Sequence, residues 1–309
     1  MNTSPIKCHR LSRFYGEVQG LSELTVQAGP GVVGLLGPNG SGKTTFMRLL
    51  CGLIHPSRGS VEICGSAVGP GNRELLRKVG YAPGEDVHFE NEKALDFLAF
   101  LSALGGDSPT AARKRGEEAL AKVDLADRGQ HQIKTLSKGM RQRIKVAQAL
   151  LFSPEILLLD EPLNGMDPVS RKALLDLVLE HGNSGGTVLL ASHVLHEIET
   201  VTDQVVLLHH GRLLAEGKLS DIRSLIDQKP RRLTLKSQNP REIVTALLNE
   251  NLITSVEFKS DNQLAVETKE IQPLLRYLQN IGKKGGIDQL ELSDQNLESV
   301  FELLVGSKA

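Results

Sequence analysis

Apolar residues form two kinds of pattern in the first two thirds of the chain. Residues 32–36 and 156–159 are nearly continuous apolar runs, whereas residues 138–152 carry apolar side chains at helical spacing. A continuous run is typical of a strand in a parallel sheet covered on both faces, and the spaced pattern is typical of an amphipathic helix. Because the two patterns alternate, we predict an α/β fold with a mixed sheet core. Residues 90–150 are mostly helical in pattern and are predicted to form a helical subdomain.

The pattern changes beyond residue 218. From residue 231 the predicted elements follow the order β-α-β-β-α-β, which is typical of a ferredoxin-like α+β module, and residues 297–305 are predicted to close the chain as an amphipathic helix. Residues 227–230, Asp-Gln-Lys-Pro, indicate a linker. We therefore predict a large domain over residues 1–226 and a small accessory domain over residues 231–309. The second domain shows no catalytic constellation, which favours a structural or regulatory appendage over a ligand-binding module.

Composition is that of an ordinary globular protein. The 309 residues are 40% hydrophobic and 24% charged, with a formal net charge of −1. A nearly neutral chain has no strong electrostatic attraction to nucleic acid, so no nucleic-acid partner is expected. The three cysteines, Cys8, Cys51 and Cys64, lack the paired spacing of a metal site. No run approaches the roughly 18 apolar residues that span a bilayer, so another chain would have to supply any membrane-spanning part.

A glycine-rich segment follows the first apolar run and leads into a helical pattern. It fits G-x-x-x-x-G-K-[ST] at every fixed position. Glycine lets the backbone turn its N–H groups around a phosphate, and the N-terminal end of the next helix adds partial positive charge. The lysine can reach the β- and γ-phosphates, and the hydroxyl after it can ligate magnesium. The candidate nucleotide-binding residues of this segment are Gly37, Pro38, Asn39, Gly40, Ser41, Gly42, Lys43, Thr44 and Thr45.

Two carboxylates end the second apolar run. Asp160 and Glu161 follow the run directly, and Pro162 comes next. A carboxylate at the C-terminal edge of such a strand can lie beside the phosphate loop and hold magnesium, so Asp160 and Thr44 are the predicted metal ligands. A second carboxylate projects differently and can polarise an attacking water. Glu161 is therefore the predicted general base.

Residues 136–143 read Leu-Ser-Lys-Gly-Met-Arg-Gln-Arg at the start of a predicted helix. This segment resembles the signature motif of the ATP-binding cassette (ABC) family, Leu-Ser-Gly-Gly-Gln, and it precedes the strand with the two carboxylates as in that family. Lys138 stands in place of the first glycine and Met140 in place of the glutamine, whereas Ser137 and Gly139 are retained. The resemblance implies that Ser137 and Gly139 approach the γ-phosphate of a nucleotide bound to a second subunit, and that the signature segment Ser137, Lys138, Gly139 and Met140 acts in trans.

Three further positions are similar to the family pattern. Tyr15, before Gly16, resembles the N-terminal aromatic residue that stacks on adenine, with the neighbouring Phe14 as the competing candidate. Asp167 resembles the acidic residue that faces the partner subunit in the loop after the catalytic glutamate. His193 resembles the histidine that contacts the γ-phosphate and orients that glutamate, so Glu161 and His193 are the implied catalytic residues.

One family feature is missing from the sequence. Family members usually carry glutamine just after a strand that ends in Tyr-x-Pro, where it contacts magnesium and senses the membrane partner. Here the chain reads Tyr81-Ala82-Pro83-Gly84-Glu85, so Gly84 occupies the glutamine position. A carboxylate is an adequate magnesium ligand, and Glu85 is the candidate substitute with a shift of one residue.

The resemblance covers about residues 6–220 and implies a P-loop NTPase of the ABC cassette type. It implies that the chain binds ATP and Mg²⁺, hydrolyses ATP and pairs head to tail with a second ATPase subunit, identical or different. A separate integral-membrane permease of an exporter would convert this cycle into transport, with the ATPase as a peripheral protein on the cytoplasmic face of the inner (plasma) membrane.

Two other classes of protein share part of these features. A soluble ABC ATPase acting on ribosomes or nucleic acid would normally show a second cassette, a long coiled-coil insertion or strongly basic segments, and none is visible in the sequence. A small-molecule kinase with the same phosphate loop would have no need of the Ser137 motif or of His193.

Overall fold

A computed structural model describes residues 4–69, 72–85, 89–222, 231–282 and 286–292. The chain divides into two compact units between Leu219 and Ser220. The predicted linker 227–230 and the predicted helix 297–305 lie outside the described residues, and the assignment of residues 1–226 and 231–309 to two domains stays a prediction. Among the described residues, no helix has the length and apolar character needed to cross a bilayer.

The first unit contains strands and helices in alternation. Its strands are β1 (Ile6–Tyr15), β2 (Val18–Ala28), β3 (Gly31–Leu36), β4 (Arg58–Ile63), β5 (Ser66–Ala67), β6 (Val79–Ala82), β7 (Ile156–Asp160), β8 (Thr187–Ser192), β9 (Gln204–His209) and β10 (Arg212–Lys218). Its helices are α1 (Lys43–Leu50), α2 (Arg73–Arg77), α3 (Ala94–Leu104), α4 (Pro109–Lys122), α5 (Lys138–Leu150), α6 (Pro168–Asn183) and α7 (Leu195–Glu199).

A six-stranded sheet in the order β10-β9-β3-β8-β7-β6 forms the centre of this unit. Strands β3, β6, β7, β8 and β9 are mutually parallel, and Leu189 in β8 lies between Val33 of β3 and Leu158 of β7. Every residue of β7 is buried, which explains its continuous apolar run. Because parallel strands end at one edge, β3 and β7 bring the phosphate loop and the two carboxylates to the same side of the sheet.

A second, antiparallel sheet in the order β2-β1-β4-β5 shares its core with the central sheet. One cluster of buried residues contains Leu11 and Leu21 from this sheet, Phe46 and Met47 from α1, and Leu158 from β7. Helix α1 is therefore held between the two sheets by apolar contacts. The predicted α/β fold with a mixed sheet core is confirmed.

Helices α3, α4 and α5 lie within residues 90–150, and the assignment of these residues to a helical subdomain stays a prediction. Leu95 and Leu98 of α3 and Leu120 of α4 are buried. The turn between the helices is fixed by Ser108, whose hydroxyl accepts a hydrogen bond from the Ala111 N–H, with Pro109 in the first helical position. Leu104 shares the apolar stripe of α3 in sequence but is 69% exposed, because the helix ends at this residue.

The second unit contains the predicted β-α-β-β-α-β order. Its elements are β11 (Arg231–Lys236), α8 (Pro240–Asn249), β12 (Ser255–Ser260), β13 (Gln263–Thr268), α9 (Ile271–Gly282) and β14 (Gln289–Leu292). The strands form an antiparallel sheet in the order β12-β13-β11-β14. Leu233, Leu247, Leu264 and Leu274 pack in one core between the sheet and its helices. The small ferredoxin-like module expected from the sequence is therefore confirmed as a fold.

Candidate nucleotide-binding site

The phosphate loop occupies residues 37–42, between β3 and α1. Gly40 and Gly42 have φ angles of 78° and 106°, in the left-handed region that favours glycine. A Cβ on Gly42 would also lie 2.8 Å from the carbonyl oxygen of Gly20, so no side chain can be placed there without displacing backbone. Helix α1 starts at Lys43, and its first N–H groups and positive end therefore face the loop.

A pocket of about 260 Å³ opens over this loop. Its lining residues are Val18, Gln19, Gly20, Asn39, Gly40, Ser41, Gly42, Lys43, Thr44, Thr45, Asp160 and Glu161. Nine of these were singled out from the sequence. Gly37 and Pro38 do not line the pocket; instead, their carbonyl oxygens accept hydrogen bonds from the Lys43 ammonium group at 2.6 and 3.3 Å.

Glu161 is held between a lysine and a histidine. Its Oε1 atom lies 3.2 Å from Nζ of the buried Lys43, and its Oε2 atom lies 2.8 Å from Nδ1 of His193. The Asn164 amide also donates to Oε2, at 3.4 Å. Glu161 has a φ angle of 50°, an uncommon conformation for a residue with a side chain, which turns the chain sharply where β7 ends. The implied catalytic pair is thus in direct contact at the mouth of the phosphate loop.

Thr44 and Asp160 meet on the other side of the same pocket. The Thr44 hydroxyl donates to Oδ2 of Asp160 at 2.7 Å. Asp160 is 1% exposed, and burial raises the pKa of its carboxyl group, while the Thr44 hydrogen bond acts in the opposite direction. Oδ1 of Asp160 is buried with no hydrogen-bond partner among the described residues. A buried carboxylate oxygen beside a hydroxyl is a suitable pair of hard oxygen ligands for a small divalent cation.

The signature segment lies outside this pocket. Ser137 caps α5, with its hydroxyl accepting from the Met140 N–H at 3.2 Å, and neither residue is among those that line the pocket. The segment packs instead on the loop before α6. A Cβ on Gly165 would lie 2.5 Å from Cδ of Lys138, and a Cβ on Gly139 would lie 3.5 Å from Cα of Met166. The Lys138 stem therefore covers Gly165, which has a φ angle of 75°.

Asp167 is the N-cap of α6. Its Oδ1 atom accepts from the N–H groups of Ser170 at 3.0 Å and of Val169 at 3.1 Å, and these hydrogen bonds, that of Ser170 first, hold the pKa of its carboxyl group below the usual value. The side chain is exposed. This capping role accounts for an aspartate at this position within a single chain, and a contact with a second subunit would come in addition to it.

Tyr15 lies beside the pocket, although it is not one of the lining residues. The side chain is 41% exposed, and a Cβ on Gly20 would lie 2.9 Å from Cε2 of its ring and 3.3 Å from the Thr45 methyl carbon. The ring is therefore close to both a pocket residue and the end of the phosphate loop. The competing candidate, Phe14, is half-buried, and its side chain points to the other face of β1, because side chains alternate along a strand.

The loop after β6 does not bring Glu85 into the pocket. The Glu85 carboxylate forms an ion pair with Arg48 of α1 at 3.1 Å and is 73% exposed, and Glu85 does not line the pocket. The Lys145 ammonium group of α5 donates to the carbonyl oxygens of Gly84 and Glu85, at 3.3 Å each. Glu85 was singled out as a magnesium ligand from its sequence position alone. The structure pairs its carboxylate with arginine, so the metal site proposed below omits Glu85.

A buried glutamate near His193 was not predicted from the sequence. Glu197 of α7 is 7% exposed and accepts a hydrogen bond from the Ser192 hydroxyl at 2.6 Å. Its other oxygen lies 3.4 Å from Nη1 of Arg171 in α6. The Ser192 hydroxyl in turn accepts from the Val194 N–H, so the turn that carries His193 is fixed from both ends. The sequence signal was weak, because α7 carries two glutamates, Glu197 and Glu199, and their spacing alone does not distinguish the buried one.

The fold and the site together define a P-loop nucleoside-triphosphate-binding protein. The family model described as "ABC transporter" matches residues 21–164, which include the phosphate loop, the signature segment and both carboxylates.

Similar proteins are found among bacteria and archaea. The linearmycin resistance ATP-binding protein LnrL of Bacillus subtilis (strain 168) is 30% identical over 97% of this chain and 98% of its own length. The daunorubicin/doxorubicin resistance ATP-binding protein DrrA of Streptomyces peucetius is 30% identical over 100% of this chain and 96% of its own length. An uncharacterized ABC transporter ATP-binding protein of Methanocaldococcus jannaschii, MJ1023, is 31% identical over 82% of this chain and 94% of its own length.

Solved structures agree with this result. The structure of an ATP-binding subunit of an ABC transporter is 31% identical, with a TM-score of 0.64 over 72% of this chain and 92% of that chain. The dimeric structure of MJ0796, a bacterial ABC transporter cassette, is 25% identical, with a TM-score of 0.63 over 69% of this chain and 98% of that chain.

The chain belongs to the family of ABC transporter ATP-binding proteins. It is therefore the ATP-binding and ATP-hydrolysing subunit of an ABC transporter, as the sequence motifs predicted. ABC ATPases of this kind act with a membrane permease and as dimers.

Proposed function

We propose that this chain drives export through a separate integral-membrane permease, by closing and opening a dimer of ATPase subunits around ATP. The observation that carries the proposal is the contact between Lys43, Glu161 and His193 at the phosphate loop. A general base and its orienting partner next to the phosphate-loop lysine would lie beside the γ-phosphate of a bound ATP, which supports the proposal.

The residues of the pocket divide into three roles. The phosphate loop and Lys43 bind the phosphates, with Tyr15 stacking on adenine. Glu161 polarises the attacking water, and His193 orients Glu161 and contacts the γ-phosphate. A bound Mg²⁺ would neutralise charge on the β- and γ-phosphates, and Thr44 and Asp160 would hold it. The buried Oδ1 atom of Asp160 and the hydroxyl of Thr44 support this assignment.

The signature segment supports pairing with a second subunit, identical or different. Ser137 and Gly139 do not line the pocket of their own chain. In a head-to-tail dimer the segment formed by Ser137, Lys138, Gly139 and Met140 would meet the nucleotide held by the other subunit, with Asp167 facing the same interface. A γ-phosphate carries more charge than one surface can satisfy, so donors from a second surface favour closure.

Export is supported by the relatives. LnrL and DrrA carry resistance in their names and match this chain over nearly its whole length, including the second unit. A Nod factor export ATP-binding protein of Cupriavidus pinatubonensis is 33% identical over 71% of this chain. The protein would then be peripheral, on the cytoplasmic face of the inner (plasma) membrane. No nucleic-acid partner is proposed, since the net charge is −1.

A complementation experiment tests the shared site. Lys43→Ala disables both phosphate loops of a homodimer, and Ser137→Arg disables both signature segments. In a mixed dimer one site combines an intact phosphate loop with an intact signature segment. Mixing equal amounts of the two inactive variants should restore about a quarter of the wild-type ATPase activity, because half of the dimers are mixed and each has one intact site. Full activity of Ser137→Arg alone, or no recovery where cross-linking detects mixed dimers, would refute a shared site.

A further inference from the structure

We infer that Arg13 is a positioning residue for the nucleotide base: it fixes one face of the Tyr15 ring and leaves the other face for adenine. The inference rests on the proposed stacking of Tyr15 on adenine. Nothing in the family resemblance assigned a role to Arg13.

The first observation is the geometry of the pair. Arg13 and Tyr15 are two residues apart on β1, so their side chains leave the strand on the same side. The guanidinium carbon of Arg13 lies 4.9 Å from the centroid of the Tyr15 ring. A cation within about 6 Å of a ring centroid is attracted by the negative face of the ring. One face of the ring therefore has a charged partner in the protein itself.

The second observation is the way Arg13 is anchored. Its Nη1 atom donates to the carbonyl oxygen of His55 at 2.9 Å. His55 follows the C-terminal end of α1, whereas the phosphate loop is at the N-terminal end, and the eight residues of this helix span about 12 Å. The Arg13 guanidinium group is therefore anchored by the loop that follows α1 and not by the phosphate loop.

The third observation concerns the edge of the ring. Cε2 of Tyr15 would lie 2.9 Å from a Cβ on Gly20, so the ring fills the space that a side chain at residue 20 would need. Gly20 lines the nucleotide pocket. The ring is thus restrained at its edge by Gly20 and on one face by Arg13, although 41% of the Tyr15 surface stays exposed. A restrained ring loses less conformational entropy when a base stacks on it, which favours binding.

The consequence is specific to the base. Arg13 should contribute to the affinity for ATP and ADP, but not to the affinity for phosphates that carry no base. It should also leave the chemical step unchanged, because the guanidinium group is anchored away from the phosphate loop. A merely structural role of Arg13 would weaken the binding of every ligand of the pocket.

The test compares Mg-ATP with inorganic tripolyphosphate, which has no base, by calorimetry on the full chain. Arg13→Ala should weaken ATP binding about three- to fivefold, which is the loss expected for an exposed cation–π contact, with tripolyphosphate binding and kcat at saturating ATP unchanged. Arg13→Lys keeps the charge and should recover part of the loss. Arg10→Ala is the matched control on the same strand, because Arg10 pairs with the exposed Glu23 and has no cation–π contact with a ring in the part of the chain that the structure describes.

The variants Tyr15→Ala and Arg13→Ala together separate a failure of the adenine contact from a failure of the Arg13 inference. If Tyr15→Ala leaves ATP binding unchanged, the proposed adenine contact fails, and the Arg13 inference fails with it. If Tyr15→Ala weakens ATP binding but Arg13→Ala does not, only the Arg13 inference is overturned. The Arg13 inference is also overturned if the losses in ATP affinity caused by Tyr15→Ala and Arg13→Ala add fully in the double variant. Two residues that act as one unit should not be additive. Tighter ATP binding by Arg13→Ala would show that Arg13 occupies the place of the base.

Discussion

The backbone of Gly84 lies against the carboxylate of Asp160. A Cβ on Gly84 would be 3.1 Å from the Asp160 carbonyl oxygen and 3.3 Å from Cγ of its side chain. Those distances are shorter than ordinary van der Waals contacts, so a side chain at residue 84 has to displace Asp160 or the loop. Asp160 is buried and bonded to Thr44, so any displacement reaches the proposed metal ligands directly.

Gly84→Ala should therefore raise the Mg²⁺ concentration needed for half-maximal ATPase activity severalfold. The added methyl group pushes on Asp160 rather than on solvent. Magnesium titrations of ATP hydrolysis measure the effect. Gly29→Ala is the control, because a Cβ there meets nothing within 4 Å. An identical magnesium dependence of the Gly84 variant and the wild type would show that the loop around residue 84 moves and that Asp160 keeps its position.

Asp160→Asn and Glu85→Ala should differ in the same magnesium titration. The amide removes the negative charge that balances the cation, so the asparagine variant should need at least tenfold more Mg²⁺. Glu85→Ala breaks an exposed pair with Arg48, and such pairs contribute only about 0–1 kcal/mol, so its titration should match the wild type. A raised magnesium requirement of the Glu85→Ala variant would show that Glu85 is a ligand of the metal site after all.

Glu161→Gln should bind ATP and fail to turn it over. The amide keeps the shape of the side chain but cannot polarise water, and the loss of a general base costs about 10²–10⁴-fold in rate. Because hydrolysis no longer opens the interface, size-exclusion chromatography with Mg-ATP should show a stable dimer. Robust multiple-turnover hydrolysis by this variant would remove Glu161 from its role.

Lys43→Ala should lose nucleotide binding. The buried ammonium group is the only charge of the phosphate loop segment 37–45, and it also pairs with Glu161, which would be left without this partner. Binding of a fluorescent ATP analogue is the measurement. Lys114→Ala removes an exposed lysine on α4 and serves as the control. Undiminished affinity of the Lys43 variant would refute the assignment of the phosphate loop.

Local patterns predicted the parts of the fold that depend on local physics. The strand Ile156–Asp160 follows from a continuous apolar run, and the start of α5 follows from the Ser137 cap. Strand β10 was not predicted. Its sequence, Arg-Leu-Leu-Ala-Glu-Gly-Lys, has no clean alternation, because its pairing with β9 contains a register shift between Leu213 and Ala215 that interrupts the period of two.

The site was predicted best where one segment holds all the ligating groups. The phosphate loop and the two carboxylates could be assigned because each is defined within a few residues of sequence. Glu85 could not be placed, since its partner Arg48 is 37 residues away and only tertiary packing brings the two together. The burial of Glu197 is likewise a property of the folded chain, set by its contacts with Ser192 and Arg171.

Glu197, which contacts both Arg171 and Ser192, connects helix α6 with the end of strand β8. Arg171 lies one turn into the helix that Asp167 caps, and Ser192 directly precedes His193. A tilt of that helix would pull on the histidine turn through a buried carboxylate. Under the proposed head-to-tail pairing, a force on the Asp167 loop would therefore reach His193 through Glu197.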